Sequence, residues 1–387
     1  MKKKIAYIIN HSSFFYSHII DNACYARKNR YDIKLFCGLA ASKKMNVYSK
    51  SKINQQKIKI KHHSFQSSSI NIFQEIIGFL QLVKSIKRYN PDIIYCASPK
   101  GIILGGLVSR YLNIKSLVIF NSGMGYLFSN KINFLYRLIR MTYIFLLKKL
   151  IMKHPNKKVV VENKDDYFFL KKKYDLKNNE IKLIKGAGVN LEKFKFKKNN
   201  NSKKILLPAR VIKEKGIEEF IMASNYLKKI FPDWRFIVAG TFDYKKQSKL
   251  SPNKIKILNK EKTVEFLGYI KNMIKTYQDT AIVCLPSYRE GFSRVFQEAA
   301  AIGLPIVTTN VIGCKDSIIP NKTGLIAKAK DYKSLIKKLK ILILDKNKRL
   351  IFGNNGRKLA EKEFDLKNVL KANLDIYNCL IRNAKDS

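Results

Sequence analysis

The 387-residue sequence is short of acidic residues, of paired cysteines and of long uncharged apolar runs. It has 28 Asp and Glu against 76 Lys and Arg, a net charge of +48, which favours anionic partners without choosing among them. Its six cysteines are scattered with no C-x-x-C pair, so zinc-site and disulfide spacings are excluded and reduced cytoplasmic thiols are expected. Hydrophobic residues make up 46%, which is typical of folded domains and excludes wholesale disorder.

Two segments resemble membrane signals and fall short of them. The basic start, Lys2–Lys4, precedes an apolar run that stops at Asn10, whereas a signal peptide core needs about 7–15 apolar residues. The segment 132–152 contains Arg137, Arg140 and a Lys pair, whereas a spanning helix needs about 20 nearly uncharged residues. We therefore expect a first β-strand at the N-terminus and no segment that crosses a bilayer.

Short apolar runs alternate with longer amphipathic segments, a pattern that predicts α/β domains with parallel sheets. The predicted strands are 4–10, 32–37, 58–62, 92–96, 115–121, 158–161 and 181–184, then 204–207, 235–239, 263–267, 281–285 and 305–308. The predicted helices are 17–27, 71–89, 102–112, 134–152 and 164–173, then 216–231, 273–280, 294–302, 332–344, 349–363 and 367–382. The polar, basic stretch 193–204 is interpreted as a linker.

This organisation predicts two Rossmann-like α/β domains facing each other across a cleft. We expect an N-terminal domain at 1–190, a C-terminal domain at 191–365, and a last helix, 366–387, that packs back on the first domain. Ligands of open parallel sheets bind beyond the carboxyl ends of the strands, so polar residues that directly follow strands are the informative ones.

The densest such cluster follows the predicted strand 281–285. A loop carries Glu290, Gly291 and Ser293, and an Ala-rich helix begins at Arg294. A helix N-terminus reached through a Gly-containing loop favours phosphate. Glu298, one turn into that helix, suits the vicinal hydroxyls of a ribose, and Glu290 suits sugar hydroxyls. Taken singly, each carboxylate is more often an ordinary solvent-facing acid, whereas the two together with Gly291 between a strand and a helix favour a ligand site.

A second cluster follows the strand 204–207. Arg210 and Lys215 can converge on a diphosphate, the first as a bidentate fork and the second as a point charge. In a chain with 76 cations, a chance pair accounts for the spacing about as well. Gly240 ends a third strand and lets ligand or backbone approach closely.

With these motifs in view, the chain resembles the family 4 retaining glycosyltransferases of GT-B architecture. The spacing of Glu290 and Glu298 within PSYREGFSRVFQEAAAIGLPIV (286–307) carries the resemblance, and similar stretches follow in the family's order over 95–128, 159–166, 184–194, 209–224, 234–240, 265–269 and 308–318. The chain looks most like bacterial enzymes that extend polyprenyl-diphosphate-linked sugars for capsule, O-antigen or glycoprotein pathways.

The resemblance implies roles on the donor side. Arg210 and Lys215 would bind the diphosphate, Glu298 the ribose, and Glu290 the donor sugar. Backbone contacts to sugar and phosphate would come from Gly291, Phe292 and Ser293, and the nucleobase would pass Gly268 and Tyr269, with Gly240 also in the donor site.

On the acceptor side, the resemblance implies that residues from Asn121 to Tyr126, including Ser122 and Gly123, line the acceptor site. His18 is a further candidate for a sugar or phosphate, although an isolated histidine is more often structural. Many family members have a glycine pair after the first strand, where this chain has His11, Ser12 and Ser13. We therefore expect no close donor-phosphate contact from that loop.

The charges suggest how the reaction would run. Breaking a sugar–diphosphate bond builds negative charge on the leaving phosphate, which a metal bound to a D-x-D motif often neutralises. The sequence has no D-x-D, and Arg210 and Lys215 can supply positive charge. We therefore predict metal-independent transfer with no cofactor beyond the nucleotide-sugar co-substrate. We expect this co-substrate to be a UDP-linked N-acetylhexosamine. The resemblance implies retention of anomeric configuration.

A basic helix suggests where the acceptor would be met. The predicted helix 134–152 has an apolar stripe of Phe134, Leu138, Met141 and Phe145, with Arg137, Arg140, Lys148 and Lys149 beside it. Such a helix suits an anionic membrane surface, and core packing accounts for the stripe equally well. We expect a cytoplasmic protein, peripheral on the inner face of the cell membrane, that serves a polyprenyl-diphosphate-linked acceptor.

Two other functions fit parts of the sequence. A nucleotide-sugar 2-epimerase shares the expected architecture, and nucleotide release that requires an acceptor distinguishes a transferase from it. A basic nucleic-acid-binding protein fits the charge alone. The sequence has no RNA-binding aromatic motif, zinc-finger spacing or basic repeat, so we expect no specific nucleic-acid partner.

Overall fold

In a computed structural model, the structure describes residues 2–39, 43–66, 71–123, 134–197, 201–242 and 250–385. The chain divides into two compact units. One comprises Met1–Ala187 with Val369–Ser387, and the other comprises Gly188–Asn368. Each has its own parallel sheet and its own core, as the alternation of apolar runs and amphipathic segments predicts.

The first unit contains a seven-stranded parallel sheet within the described residues, in the order β3-β2-β1-β4-β5-β6-β7. Its strands are β1 (Lys4–His11), β2 (Asp32–Leu39), β3 (Lys59–Gln66), β4 (Ile93–Ala97), β5 (Ser116–Asn121), β6 (Lys157–Val161) and β7 (Ile181–Leu183). Its helices are α1 (Ser12–His18), α2 (Ile20–Lys28), α3 (Lys43–Gln55), α4 (Ile72–Tyr89), α5 (Pro99–Tyr111), α6 (Phe134–Leu146) and α7 (Lys164–Tyr174). A π-helical turn, Leu147–Ile151, continues α6.

Both faces of this sheet are covered, which is why its strands are nearly continuous in apolar residues. Apolar residues of α1, α2 and α3 pack on one face, and those of α4, α5, α7 and the π turn pack on the other. The last helix of the chain, Leu366–Asn383, adds Tyr377 to the first of these cores. There its hydroxyl lies 3.3 Å from that of Tyr7 and accepts a hydrogen bond from Asn22 at 2.8 Å.

The second unit contains a six-stranded parallel sheet in its described part, in the order β10-β9-β8-β11-β12-β13. Its strands are β8 (Lys204–Leu207), β9 (Arg235–Ala239), β10 (Val264–Gly268), β11 (Ile282–Leu285), β12 (Ile306–Thr309) and β13 (Gly324–Ala327). Its helices are α8 (Ile217–Ile230), α9 (Pro252–Leu258), α10 (Met273–Gln278), α11 (Arg294–Ile302), α12 (Tyr332–Leu344) and α13 (Lys346–Leu359), and the last helix of the chain, Leu366–Asn383, is α14. One core joins both faces, with Phe220 and Phe236 at its centre.

The structure corrects two predictions of local structure and adds three elements to them. The single helix predicted at 17–27 is two helices, α1 and α2, with Ile19 between them. Helix α1 begins earlier than predicted, at Ser12, and His11 Nδ1 caps it by accepting a hydrogen bond from Phe14 N at 3.2 Å. Elements α3, α9 and β13 were not predicted. The stretch 193–197 is not a linker, because Phe194 packs against Tyr277 with ring centroids 6.4 Å apart.

No helix among residues 2–39, 43–66, 71–123, 134–197, 201–242 and 250–385 combines the length and apolar character needed to cross a bilayer.

Candidate active site

The polar residues of the second unit gather at the carboxyl edge of its sheet. Because all neighbouring strands of this sheet run parallel, the loops that follow β8, β9, β10, β11 and β12 leave from one edge. Arg210 follows β8, Gly240 follows β9 and Gly268 ends β10, while Glu290 follows β11. The predicted donor-side residues therefore come from adjacent strands.

An ion pair at this edge joins Lys215 and Glu290. The Lys215 Nζ atom lies 2.5 Å from Glu290 Oε1, and the side chains are only 20% and 12% exposed. Ser287 Oγ donates to the same carboxylate oxygen at 2.6 Å. The backbone N–H of Glu290 donates to the carbonyl of Ile312 at 3.1 Å. A cation, a hydroxyl and a carboxylate are thus held together with little access to water, where charges interact more strongly than in solvent.

Two glycines allow the loops around this pair to touch. Gly216, directly after Lys215, has φ +71°, and a Cβ there would lie 2.2 Å from the carbonyl oxygen of Pro286. Gly313, with φ +75°, approaches Glu290 and Gly291 so closely that a Cβ would lie 2.4 Å from both carbonyl oxygens. A side chain at either position would separate the loops, so these glycines set the geometry of the pair.

Tyr288 fastens the same loop to the helix that follows β8. Its backbone N–H donates to the Glu214 carbonyl at 2.8 Å, and its hydroxyl donates to Glu219 Oε1 at 2.6 Å. Burial, followed by the hydrogen bond to Glu219, raises the pKa of Tyr288. The hydroxyl therefore stays protonated and keeps donating at all physiological pH values.

Glu298 lies in the middle of α11 and is held from two sides. Tyr277 OH donates to its Oε2 at 3.0 Å, and Arg294 Nε lies 3.8 Å from its Oε1. The side chain is 17% exposed, and burial raises the pKa of Glu298 while Arg294 opposes the rise. Sequence patterns alone did not identify Tyr277 and Arg294 as partners of Glu298. The i,i+4 spacing of Arg294 and Glu298 was a usable signal, but the role of Tyr277 needed the tertiary contact.

The other predicted donor-side residues differ in their surroundings. Arg210 is exposed on its loop, and Gly240 packs so tightly that a Cβ would lie 1.8 Å from the Ala209 carbonyl oxygen. Gly268 has φ +66° with nothing within 4 Å of a Cβ, and Tyr269 is exposed. The side chains of Arg210 and Tyr269 are therefore accessible to solvent, whereas Gly240 allows two backbone segments to pack closely.

Phe292 and Ser293 form the support beneath the loop. The Phe292 side chain is buried, with its ring centroid 5.5 Å from that of Phe364. Ser293 is buried at the N-cap position of α11, and its side chain makes no capping hydrogen bond. Any contact of Phe292 with a ligand must therefore be made by its backbone, as the resemblance implies.

The predicted acceptor-side residues belong to the first unit. Asn121 ends β5, and Ser122 and Gly123 follow it, whereas Tyr126 lies outside the described residues. His18 is exposed at the end of α1, where its ring stacks on Phe14 with centroids 4.5 Å apart and its Nδ1 lies 2.6 Å from Ser17 Oγ. These local contacts account for the position of His18.

A buried carboxylate at the carboxyl edge of the first unit's sheet was not predicted. Glu162 follows β6, whose last residue pairs with Asn121, and it is 3% exposed. Burial, and then the neighbouring carboxylate of Asp166, raises the pKa of Glu162 to about 8. In the described residues, no group of three or more His, Cys, Asp or Glu side chains is placed to hold a metal ion.

Comparison with known proteins gives two family matches that together span most of the chain. The model described as Glycosyl transferase 4-like matches residues 4–152, and that described as Glycosyl transferases group 1 matches residues 189–359.

Individual relatives agree with these matches. The chain is 29% identical to an N,N'-diacetylbacillosaminyl-diphospho-undecaprenol alpha-1,3-N-acetylgalactosaminyltransferase of Campylobacter jejuni, covering 86% of this chain and 89% of the relative. It is 25% identical to a UDP-Gal:alpha-D-GlcNAc-diphosphoundecaprenol alpha-1,3-galactosyltransferase of Escherichia coli, covering 77% and 80%. Anabaena HepE, solved in complex with UDP and glucose, has the same fold, with a TM-score of 0.76 at 17% identity over 97% of this chain and all of HepE. The predicted GT-B fold is thereby confirmed.

Proposed function

Because the chain belongs to the glycosyltransferases, with a 4-like segment followed by a group 1 segment, we propose that it transfers an N-acetylhexosamine from a UDP-linked donor to a polyprenyl-diphosphate-linked saccharide. The contact between Lys215 and Glu290 carries this proposal. It puts a cation suited to a diphosphate beside a carboxylate suited to sugar hydroxyls, which are the two parts of a nucleotide sugar that flank the bond to be broken.

The proposed donor contacts follow from this pair. Lys215 and Arg210 bind the diphosphate, and Glu290 accepts hydrogen bonds from the donor sugar. Glu298 accepts from the ribose hydroxyls, oriented by Tyr277 at 3.0 Å. The backbone of residues 291–293 contacts sugar and phosphate, and the nucleobase lies along Gly268 and Tyr269.

The proposed reaction is a displacement with retention that needs no metal ion. The bond between the anomeric carbon and the diphosphate oxygen breaks, and its electron pair leaves with the phosphate, where Arg210 and Lys215 stabilise the added charge. The acceptor hydroxyl attacks the anomeric carbon from the same face, and its proton passes to the departing phosphate oxygen. The products are UDP and a lipid-linked glycan that is one sugar longer.

The proposed acceptor is an undecaprenyl-diphosphate-linked sugar bound by Asn121, Ser122, Gly123 and Tyr126. Two relatives support this choice, since the names of the Campylobacter and Escherichia enzymes both specify a diphospho-undecaprenol acceptor. Such a lipid resides in a membrane, and the net charge of +48 suits an anionic surface. We therefore place the protein at the cytoplasmic face of the cell membrane.

The test is a transfer assay with undecaprenyl-diphosphate-linked N-acetylglucosamine or diacetylbacillosamine and a panel of UDP sugars. We expect one UDP per sugar transferred, an α-linkage by NMR from an α-linked donor, and turnover that survives EDTA. Lys213→Ala, an exposed change in the same short turn, is the control for Lys215→Ala.

Three results would contradict the proposal. UDP release that is independent of acceptor, with a new epimer of the sugar, would indicate an epimerase. If EDTA abolished turnover and added Mg²⁺ restored it, only the metal-free mechanism would be contradicted, and the transfer reaction itself would stand. Equal turnover of Lys215→Ala and Lys213→Ala would remove the assigned site.

A further inference from the structure

Helix α4 has an apolar stripe that its own unit does not cover. Its inner face supplies Gly78, Leu82 and Ile86 to the core, so the packing of the helix on the sheet is complete without that stripe. The exposed apolar side chains of its first three turns are Ile72, Phe73, Ile76, Ile77 and Leu80, all at least half exposed. Exposed apolar patches of this extent mark interaction sites in soluble domains.

Helix α6 has a second stripe of the same kind. Phe134, Leu138, Met141 and Phe145 are each more than half exposed, and Phe134 reaches 83%. Core packing, one of the two explanations that the sequence left open, therefore does not account for this stripe. The helix is anchored instead through Tyr143 and the π turn, whose Leu147 and Ile151 are buried.

The two stripes lie on the same side of the sheet and start at the same edge. Both helices follow parallel strands, so both begin at the carboxyl edge of the sheet. Helix α5 lies between them in the core: Lys100 of α5 pairs with Glu75 of α4 at 2.7 Å, and Gly106 of α5 packs against Ile151. An extended surface approaching this side meets both helices.

The charge near these stripes is predominantly positive. From Ile93 to Val161 the sequence has 11 Lys and Arg and no Asp or Glu. Arg137, Lys148 and Lys149 are exposed along α6 and its π turn, while Glu75 of α4 is paired with Lys100. An anionic partner is therefore favoured, and a second copy of the same cationic surface is disfavoured.

We propose that the stripes of α4 and α6 together form a docking surface for an anionic lipid bilayer. The aromatic and branched side chains enter the headgroup boundary, and the flanking cations contact lipid phosphates. The choice of a bilayer as partner rests on the proposed function, since its acceptor is membrane-borne. Because both helices begin at the carboxyl edge of the sheet, the surface lies beside the edge at which β5 ends with Asn121.

The test is co-sedimentation with vesicles of phosphatidylcholine and phosphatidylglycerol at 50 mM salt. The double variant Phe73→Ser/Phe134→Ser should lower the partition coefficient at least tenfold. The matched control, Ile257→Ser/Leu344→Ser, removes apolar side chains of similar exposure from the second unit and should bind like the parent. Arg137→Glu/Lys149→Glu should also weaken binding at least tenfold, and Lys333→Glu/Lys340→Glu, an equal charge change on α12, should not.

Further measurements distinguish a failure of the docking surface from a failure of the proposed function. UDP binding and turnover of a short-chain acceptor in detergent should be unchanged in the apolar double variant, which should also melt within a few degrees of the parent. Equal vesicle binding by variant and control would overturn the docking surface, as would a dimer in solution that the same variant dissociates. Vesicle binding without any sugar transfer would overturn only the proposed function.

Discussion

The carboxyl edges of the two sheets are built from the same strand–loop–helix units but hold their carboxylates differently. In the second unit, Glu290 has Lys215 and Ser287 as partners within 2.6 Å. In the first unit, Glu162 is buried beside another carboxylate, Asp166, and its pKa is raised to about 8. One edge thus pairs opposite charges, which fits the proposed diphosphate-sugar donor, whereas the other contains a carboxyl group that folding drives toward its neutral form.

The largest expected effect comes from breaking the ion pair of the second edge. Lys215→Ala removes positive charge from the leaving phosphate and leaves Glu290 without its cation, so kcat should fall about 100- to 1000-fold. Steady-state assays of UDP release would measure this. Lys213→Ala should retain kcat within twofold, and a Lys215→Ala enzyme within threefold of the parent would refute the assignment.

The next largest effect is expected from a substitution at the close contact between Gly216 and Pro286, next to the Lys215–Glu290 ion pair. Gly216 and Gly268 both have positive φ, but only at Gly216 would a Cβ meet backbone, 2.2 Å from the Pro286 carbonyl. Gly216→Ala should therefore lower the free energy of unfolding by about 3 kcal/mol, and Gly268→Ala by about 1 kcal/mol. Urea unfolding of both variants checks the difference, and equal losses would mean that the contact yields easily.

At the carboxyl edge of the first unit's sheet, the raised pKa of Glu162 should make the free energy of unfolding depend on pH. The folded state keeps a proton on Glu162 that the unfolded chain releases above about pH 4.5. The contribution of Glu162 to the free energy of unfolding should thus be largest below that pH, fall by about 2.5 kcal/mol between pH 5 and 7, and be lost above about pH 8. Glu162→Gln does not titrate and should lack this loss.

Urea unfolding at both pH values measures it. Asp21→Asn, which removes an exposed carboxylate of the same unit, should leave the parent's slope unchanged. The Glu162 prediction fails if parent and Glu162→Gln share one slope.

The smallest effect concerns the ribose contact. Glu298→Gln should weaken UDP binding about tenfold, or about 1.4 kcal/mol, by titration calorimetry, with kcat changed less than threefold. Tyr277→Phe removes the hydroxyl that orients Glu298 and should weaken UDP about threefold. Glu261→Gln, at an exposed carboxylate, serves as control. A Glu298→Gln enzyme that binds UDP normally but turns over slowly would move this residue from the ribose to the reacting bond.

Much of the fold could be predicted because strands buried on both faces are short apolar runs that are visible in sequence. Strands β8 and β9 and helices α11 and α12 begin and end at the predicted residues. Helix α3 was missed because its segment, KKMNVYSKSKINQ, is mostly polar and has few buried positions. The linker prediction was wrong over 193–197, because composition counted its Lys residues and not where Phe194 packs.

The candidate site was partly visible for a related reason. Glu290, Arg210 and Lys215 lie in segments that follow strands, and Glu298 lies in the helix that one of these segments enters, so local order marked them. Ser287 and Glu162 follow strands in the same way, but order along the chain does not reveal that Ser287 contacts Glu290 or that Glu162 is buried beside Asp166. Tyr277 lies in α10 and carries no such mark. The exposed stripe of α4 was also missed, because an apolar helix face looks the same in sequence whether a core covers it or not.

The sequence by itself determined the α/β class, most strand positions and the family, because these depend on periodicity and local motifs. Only the tertiary structure decided that Lys215 contacts Glu290, that Tyr277 orients Glu298, and which apolar stripes of α4 and α6 remain exposed. These features depend on which loops and helices meet after the chain folds. They are set by packing between residues as many as 75 positions apart, which no local pattern records.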